Sequence, residues 1–134
     1  MDCPDCDGET LAVRVPPELR EFVDPAPETV VAVCPGCLCV RPSAGDVADV
    51  NHDPTADPSA VNDAIPDGNG GVAFLLACGK LDSLAVNRPA VVELMEYAER
   101  EGVDVLLALD RLGDELEDPH FDVDRRARQL AQYL

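Results

Sequence analysis

The chain carries one short pattern twice, as Cys3-Pro4-Asp5-Cys6 and as Cys34-Pro35-Gly36-Cys37, and the expected N-terminal architecture follows from this repeat. In each C-P-x-C turn both sulfurs can point at one ion, and the proline restricts the backbone. Two such turns provide the four thiolates of a closed, tetrahedral structural zinc site. We therefore expect one structural Zn²⁺ ion held by four metal ligands, Cys3, Cys6, Cys34 and Cys37.

The two turns differ in the residues that follow them. Gly8 lets the chain leave the first turn with a positive φ. The second turn continues as Cys37-Leu38-Cys39 and has no glycine at this point. Cys39 can therefore compete with Cys37 as a ligand, but we prefer Cys37 because it closes the C-x-x-C turn.

Apolar alternation around the turns predicts three strands in residues 1–42, at residues 9–15, 29–33 and 38–41, with one helical turn at residues 18–23. Residues 43–71 are expected to form a loop-rich connector with a short helix that begins at Pro58. Residues 72–134 are expected to form a helical subdomain. The predicted fold class is thus α+β, an N-terminal three-stranded zinc ribbon packed on a C-terminal bundle of three to four helices.

Helical periodicity divides the last part of the chain. One apolar face runs from Phe74 to Ala85, and Asn87 is expected to cap the next helix, which ends at Gly102. A third helix carries its apolar residues at i, i+4, i+7 and i+11, and Asp122 or Asp124 begins the last. The stripe of the third helix consists of Val105, Leu109, Leu112 and Leu116.

The paired turns give residues 1–42 a resemblance to zinc-ribbon proteins. The whole chain is similar to an uncharacterised family of small halophilic-archaeal proteins that join such a ribbon to a helical part. That resemblance implies a fold and no activity. Rubredoxins hold one iron in two similar turns, so a mononuclear-iron redox protein is an alternative, although their aromatic-rich cores contrast with the single Phe22 in residues 1–42. A further alternative is that the cysteines bind nothing and are small buried residues.

The composition is strongly acidic, with 27 Asp and Glu residues against 10 Lys and Arg residues and a formal net charge of −17. Lys80 is the only lysine. Acid-rich, lysine-poor surfaces are typical of proteins that work in molar salt, where the screening length falls to about 3 Å. We interpret the chain as halophilic and archaeal; an acidic mesophilic protein is the alternative. The absence of a signal-like or membrane-spanning segment predicts a cytoplasmic protein without membrane association.

Other reactive side chains have simpler interpretations. Cys78 lies on an apolar helical face and is expected in the core. Lys80 is expected to be a surface lysine, and His52 and His120 lie in acidic loops without a recognisable catalytic pattern. The glycine run at residues 68–71 precedes a helix, but no lysine follows as in a phosphate-binding loop.

The only basic cluster consists of Arg125, Arg126 and Arg128, and it lies beside Asp122 and Asp124. A nucleic-acid-associated factor is therefore an alternative, but a less favoured one. A closed four-cysteine site has no open position for chemistry. The function that the sequence favours is a non-catalytic, zinc-stabilised interaction or adaptor module with a protein partner, and not an enzyme.

Overall fold

The structure is a computed structural model, and it describes residues 11–23, 30–34, 38, 40–42, 58–116 and 121–133. Most of this part of the chain is helical. Several predicted functional residues lie outside it, namely Cys3, Cys6, Cys37, Cys39, His52 and His120.

Three short strands form an antiparallel sheet in the order β1-β2-β3. They are β1 (Leu11–Arg14), β2 (Val30–Val33) and β3 (Val40–Pro42). Leu11 pairs with Val33, and Val33 pairs on its other side with Val40. Because directly paired residues point to the same face of a sheet, the alternation gathers the apolar side chains on one face, where Val13, Val31 and Val33 are buried.

Four α-helices follow: α1 (Gly68–Cys78), α2 (Leu84–Arg100), α3 (Val105–Glu115) and α4 (Val123–Leu130). Short 3₁₀ helices lie at Pro17–Phe22, Pro58–Ala60 and Leu81–Ser83. The side chains of Asp104 and Asp122 cap α3 and α4 by accepting hydrogen bonds from backbone amides three residues on, each at 3.1 Å. No helix within the described ranges is long and apolar enough to cross a membrane.

Helix α1 forms the centre of the molecule, and every residue from Gly70 to Cys78 is buried. Such a helix is apolar on all sides, as expected for one with neighbours all around it. Its chief neighbour is α2, and the C-terminal end of α1 meets β3. A Cβ added to Gly79 would lie 2.7 Å from the Cβ of Val40, so a glycine lets the sheet approach the end of α1 closely.

The predicted fold class is wrong for the described part of the chain. The strands do not form the predicted three-stranded zinc ribbon: the extended structure is a two-stranded hairpin of four residue pairs, β1 with β2, to which a three-residue edge segment adds. The buried valines of the hairpin belong to the same hydrophobic cluster as the helices. The molecule is mostly helical and is α+β only in a loose sense. The prediction overestimated the sheet, because the third strand is only a three-residue edge segment that ends at Pro42, and proline has no backbone N–H with which to extend the ladder.

Two helix boundaries also differ from the predictions. The expected apolar face from Phe74 to Ala85 is split, because α1 ends at Cys78 and α2 begins at Leu84. Asn87 therefore lies inside α2 rather than at its cap, and Pro89 also lies inside the helix. Pro89 and Ala85, four residues earlier, are both exposed. The backbone hydrogen bond that proline removes is therefore missing on the solvent side, where its loss costs least. The predicted helix at Pro58 is reduced to a three-residue 3₁₀ turn.

Other predictions are confirmed. Helix α3 begins at Val105, and the stripe of Val105, Leu109, Leu112 and Leu116 is buried. Asp122 is the N-cap of α4. Helix α2 ends just before Gly102, whose φ of 95° lies in the left-handed region that glycine adopts without strain.

Candidate metal centre

Cys34 is the one predicted zinc ligand among the described residues, and it directly follows the central strand β2. Its side chain is fully buried. The register of the sheet sets its position, because Val33, its neighbour in the chain, pairs with both Leu11 and Val40. The chain therefore leaves the sheet at Cys34, at the end of the sheet where both β1 and β3 begin.

The same register determines where the first cysteine stretch joins the sheet. Cys6 precedes Leu11 by five residues, so the chain between them spans at most about 18 Å. Because Leu11 is the direct partner of Val33, the chain enters β1 beside the point where it leaves β2. Both C-P-x-C stretches are thus attached to the same end of one sheet.

A backbone hydrogen bond ties together the two ends of the second stretch. The amide of Leu38 donates to the carbonyl oxygen of Cys34 over 2.8 Å. Leu38 has a φ of 63°, in the left-handed region, and its side chain is fully buried. A left-handed conformation costs a residue with a side chain about 1–2 kcal/mol. The surrounding packing therefore holds this turn closed in spite of local strain.

The positive φ of Leu38 was not anticipated from the sequence. The sequence shows only that the second turn lacks a glycine after Cys37, whereas the first turn has Gly8. In the structure, leucine itself adopts the backbone conformation for which glycine is usual. The available signal was the apolar character of Leu38, which marks it as a core residue that tertiary contacts can hold in place.

The full ligand set extends beyond the described residues. Cys3, Cys6 and Cys37 lie outside them, and so does Cys39, so the choice between Cys37 and Cys39 stays a prediction. Within the described ranges no three histidine, cysteine, aspartate or glutamate side chains gather as a metal site would require. Of the four predicted ligands only Cys34 lies in those ranges, so the four-cysteine site stays a prediction.

Cys78 is a core residue, as predicted, and it lies fully buried at the end of α1. Burial raises the pKa of its thiol far above the ordinary range, because desolvation penalises the thiolate. Cys78 is therefore held as the neutral thiol, in contrast to the thiolate that a metal ligand must supply.

The remaining candidates are dispersed. Lys80 is half-buried after the C-terminal end of α1, and its backbone carbonyl accepts a hydrogen bond of 3.4 Å from the Asn87 side chain. His52 and His120 lie outside the described residues. The glycine run has a packing role: a Cβ on Gly71 would lie 1.9 Å from the carbonyl oxygen of Pro66. Close packing against the preceding loop therefore accounts for that glycine without a phosphate ligand.

A side-chain hydrogen bond joins the 3₁₀ helix Pro17–Phe22 to helix α2. The Tyr97 hydroxyl, on α2, donates to the Glu18 carboxylate over 2.7 Å. This bond lowers the pKa of Glu18. Desolvation, followed by the hydrogen bond and charge of Glu18, raises the pKa of Tyr97 to about 12, while the Asn69 side chain acts in the opposite direction. Both shifts favour an ionised glutamate next to a neutral tyrosine.

The chain belongs to a family of unknown function, DUF6276, whose family model matches residues 2–134. The match covers both the cysteine-bearing N-terminal part and the helices. Comparison with curated proteins and with solved structures gives no match.

Proposed function

We propose that this protein is a non-catalytic interaction module whose N-terminal part is stabilised by one Zn²⁺ ion bound to Cys3, Cys6, Cys34 and Cys37. The zinc site of the sequence prediction is retained here without the three-stranded ribbon. The observation that carries it is the strand register, which attaches both C-P-x-C stretches to one end of one sheet.

The closed turn between Cys34 and Leu38 supports the same site. A backbone held closed by a 2.8 Å hydrogen bond suits a C-x-x-C turn, in which two sulfurs share one ion. The burial of Cys34 also suits a structural site, since such sites are shielded from solvent. When bound, zinc would supply folding free energy, on the order of 10 kcal/mol in favourable small domains.

The non-catalytic part of the proposal rests on coordination chemistry. Four thiolates fill a tetrahedral zinc ion and leave no position for water or substrate. We infer that the bound zinc would stabilise the conformation of a surface that binds a protein partner. Zinc–thiolate coordination requires reduced cysteines, which fits work in the cytoplasm, and the acidic composition fits a halophilic archaeal origin.

The test is elemental analysis of the purified protein in high salt, combined with cysteine variants. We expect about one zinc per chain in the wild type, and loss of both zinc and thermal stability in Cys3→Ser and in Cys34→Ser. The matched control is Cys78→Ala, which should lower stability through a core cavity but keep the zinc. Cys39→Ser should also keep the zinc, since Cys37 closes the turn.

Two outcomes would contradict the proposal. Unchanged stability and metal content in Cys34→Ser would remove the site. One iron per chain with the absorbance of a ferric thiolate, reversible on reduction, would instead indicate the mononuclear-iron alternative.

A further inference from the structure

The turn between Cys34 and Leu38 is attached to the hydrophobic core at its second end. The Leu38 amide closes the turn by donating to the Cys34 carbonyl oxygen over 2.8 Å. Leu38 has a φ of 63°, and its fully buried side chain belongs to the common hydrophobic cluster. For a residue with a side chain, the left-handed conformation disfavours the closed turn by a factor of about five to thirty. Burial of the Leu38 side chain therefore has to offset this factor.

A glycine at position 38 would have a different effect on the turn. Glycine adopts a positive φ without strain, but it also adopts many other conformations and has no side chain to bury. A turn with glycine would therefore close and open independently of the core. With Leu38, the closed turn and the packed core require each other.

The strand that follows the turn is positioned by helix α1. Strand β3 begins at Val40, two residues after Leu38, and it pairs with β2 over only three residues. A Cβ added to Gly79 would lie 2.7 Å from the Val40 Cβ, so Val40 lies directly against the C-terminal end of α1. The φ of Gly79 is −63°, which any residue adopts, so the close approach of Val40 is the structural reason for a glycine here. The core therefore holds both Leu38 and the strand after it.

We propose that Leu38 is a positioning residue of the zinc site, and that Gly79 supports it by letting Val40 pack against α1. This inference rests on the proposed zinc site, in which Cys34 is one ligand. A turn that is held closed before zinc arrives loses less conformational entropy on binding, so zinc is bound more tightly. The coupling is reciprocal, and bound zinc stabilises the packing of Leu38 and of β3 by the same factor.

The experiment measures the zinc dissociation constant of the full chain by competition with a chromophoric chelator, in molar KCl with reduced thiols. Leu38→Met keeps a buried apolar side chain of similar volume and should bind zinc nearly as the wild type does. Leu38→Ala retains the unfavourable backbone and loses the buried side chain, so its zinc affinity should fall by about fivefold to thirtyfold. Leu38→Gly should lie between wild type and Leu38→Ala, because it loses the buried side chain but has no backbone strain.

Gly79→Ala tests the support from α1 at a residue that is not a zinc ligand. The added Cβ would meet Val40 and displace the start of β3, so we expect zinc affinity to fall by about fivefold. Gly113→Ala is the matched control, since it also adds a methyl group to a helix. Its Cβ would lie 3.4 Å from the nearest Val123 carbon, an ordinary contact, and its zinc affinity should equal that of the wild type.

These measurements separate the failure of the inference from the failure of the zinc site. Equal zinc affinities in wild type, Leu38→Gly and Leu38→Ala would overturn the positioning role and leave the zinc site in place. Tighter binding by Leu38→Gly than by wild type would do the same, because the backbone conformation alone would then determine affinity. A wild type that binds no zinc would remove the proposed site and the positioning role together.

Amide hydrogen exchange of the wild type tests the coupling without a variant. Removal of zinc by a chelator should lower the protection of the Leu38 amide and of the Gly79 amide, which donates to the Leu75 carbonyl oxygen over 3.0 Å. The Leu116 amide at the end of α3 donates to the Leu112 carbonyl oxygen over 2.9 Å and should keep its protection. Unchanged protection at Gly79, or an equal loss at all three amides, would contradict a coupling that runs through β3.

Discussion

At the scale of single residues, the cysteine-bearing turn depends on Leu38. This residue combines a left-handed backbone with a fully buried side chain. The two features favour different substitutions, since glycine relieves the backbone strain whereas leucine fills the core. Their balance gives a direct test of the turn geometry.

Replacing Leu38 by glycine and by alanine should reverse the usual ranking of these two residues. Loss of the buried side chain destabilises both variants, by about 2–5 kcal/mol for a typical Leu→Ala change. Glycine recovers about 1–2 kcal/mol because it adopts positive φ without strain. The free energy of unfolding from denaturant titration should therefore rank wild type above Leu38→Gly and Leu38→Gly above Leu38→Ala. An alanine variant more stable than the glycine variant would exclude the left-handed turn.

Gly71 should tolerate no side chain. An alanine Cβ there would lie 1.9 Å from the Pro66 carbonyl oxygen, and backbone must move to relieve that contact. We expect Gly71→Ala to lower the free energy of unfolding by about 3 kcal/mol or more. Gly68 is the matched control: it has no atom within 4 Å of its added Cβ and only a positive φ of 77°, so its alanine variant should lose about 1–2 kcal/mol. Equal losses would contradict the packing account.

At the scale of elements, the sequence predicts α3 and α4 well and the helix α1 poorly. Helix α3 has an amphipathic stripe and an Asp104 cap, which are local signals. Helix α1 is buried on all sides, so its end is not marked by a change from apolar to polar residues, and the predicted face ran on into α2. Alternation locates the first two strands, which the structure has at Leu11–Arg14 and Val30–Val33, but it overestimates the third, which is the short segment Val40–Pro42. For the site, the sequence predicts the cysteines but not the left-handed Leu38, since only tertiary packing holds leucine in that conformation.

Within α3, Gly113 is an exposed interior position where glycine serves no close approach. An added Cβ would lie 3.4 Å from the nearest Val123 carbon, an ordinary contact. Gly113→Ala should therefore stabilise the protein by about 0.5–1 kcal/mol, through reduced entropy of the unfolded chain and better helix propensity. Thermal and denaturant melts of the same variant should agree on this increase, and a decrease would indicate that α3 and α4 pack more tightly than described.

The hydrogen bond from Tyr97 to Glu18 should make stability depend on pH at both extremes. The pKa of Glu18 is lowered on folding, so its contribution is present above the ordinary glutamate pKa and is lost as pH falls through the lowered pKa of the folded state. The pKa of Tyr97 is raised to about 12, so its contribution is present below the ordinary tyrosine value and is lost as pH rises toward 12. Tyr97→Phe should reduce stability at neutral pH and flatten both limbs of the profile. A profile identical to wild type would show that the bond does not contribute.

At the scale of the whole molecule, the net charge of −17 governs the response to salt. At low ionic strength the screening length reaches about 30 Å, so the 27 acidic residues repel one another across the fold, whereas in molar salt it is about 3 Å. Dialysis into low salt should therefore unfold the protein reversibly, as followed by circular dichroism. Retention of the full helical signal would favour the acidic mesophilic alternative.

The proposed zinc ion would link the start of β1 to the end of β2 and to the turn that ends at Leu38. The most direct measurement is X-ray absorption at the zinc edge on protein purified in high salt. We expect four sulfur ligands at about 2.3 Å around one zinc per chain. Absence of zinc, or a first shell made of nitrogen and oxygen, would contradict it.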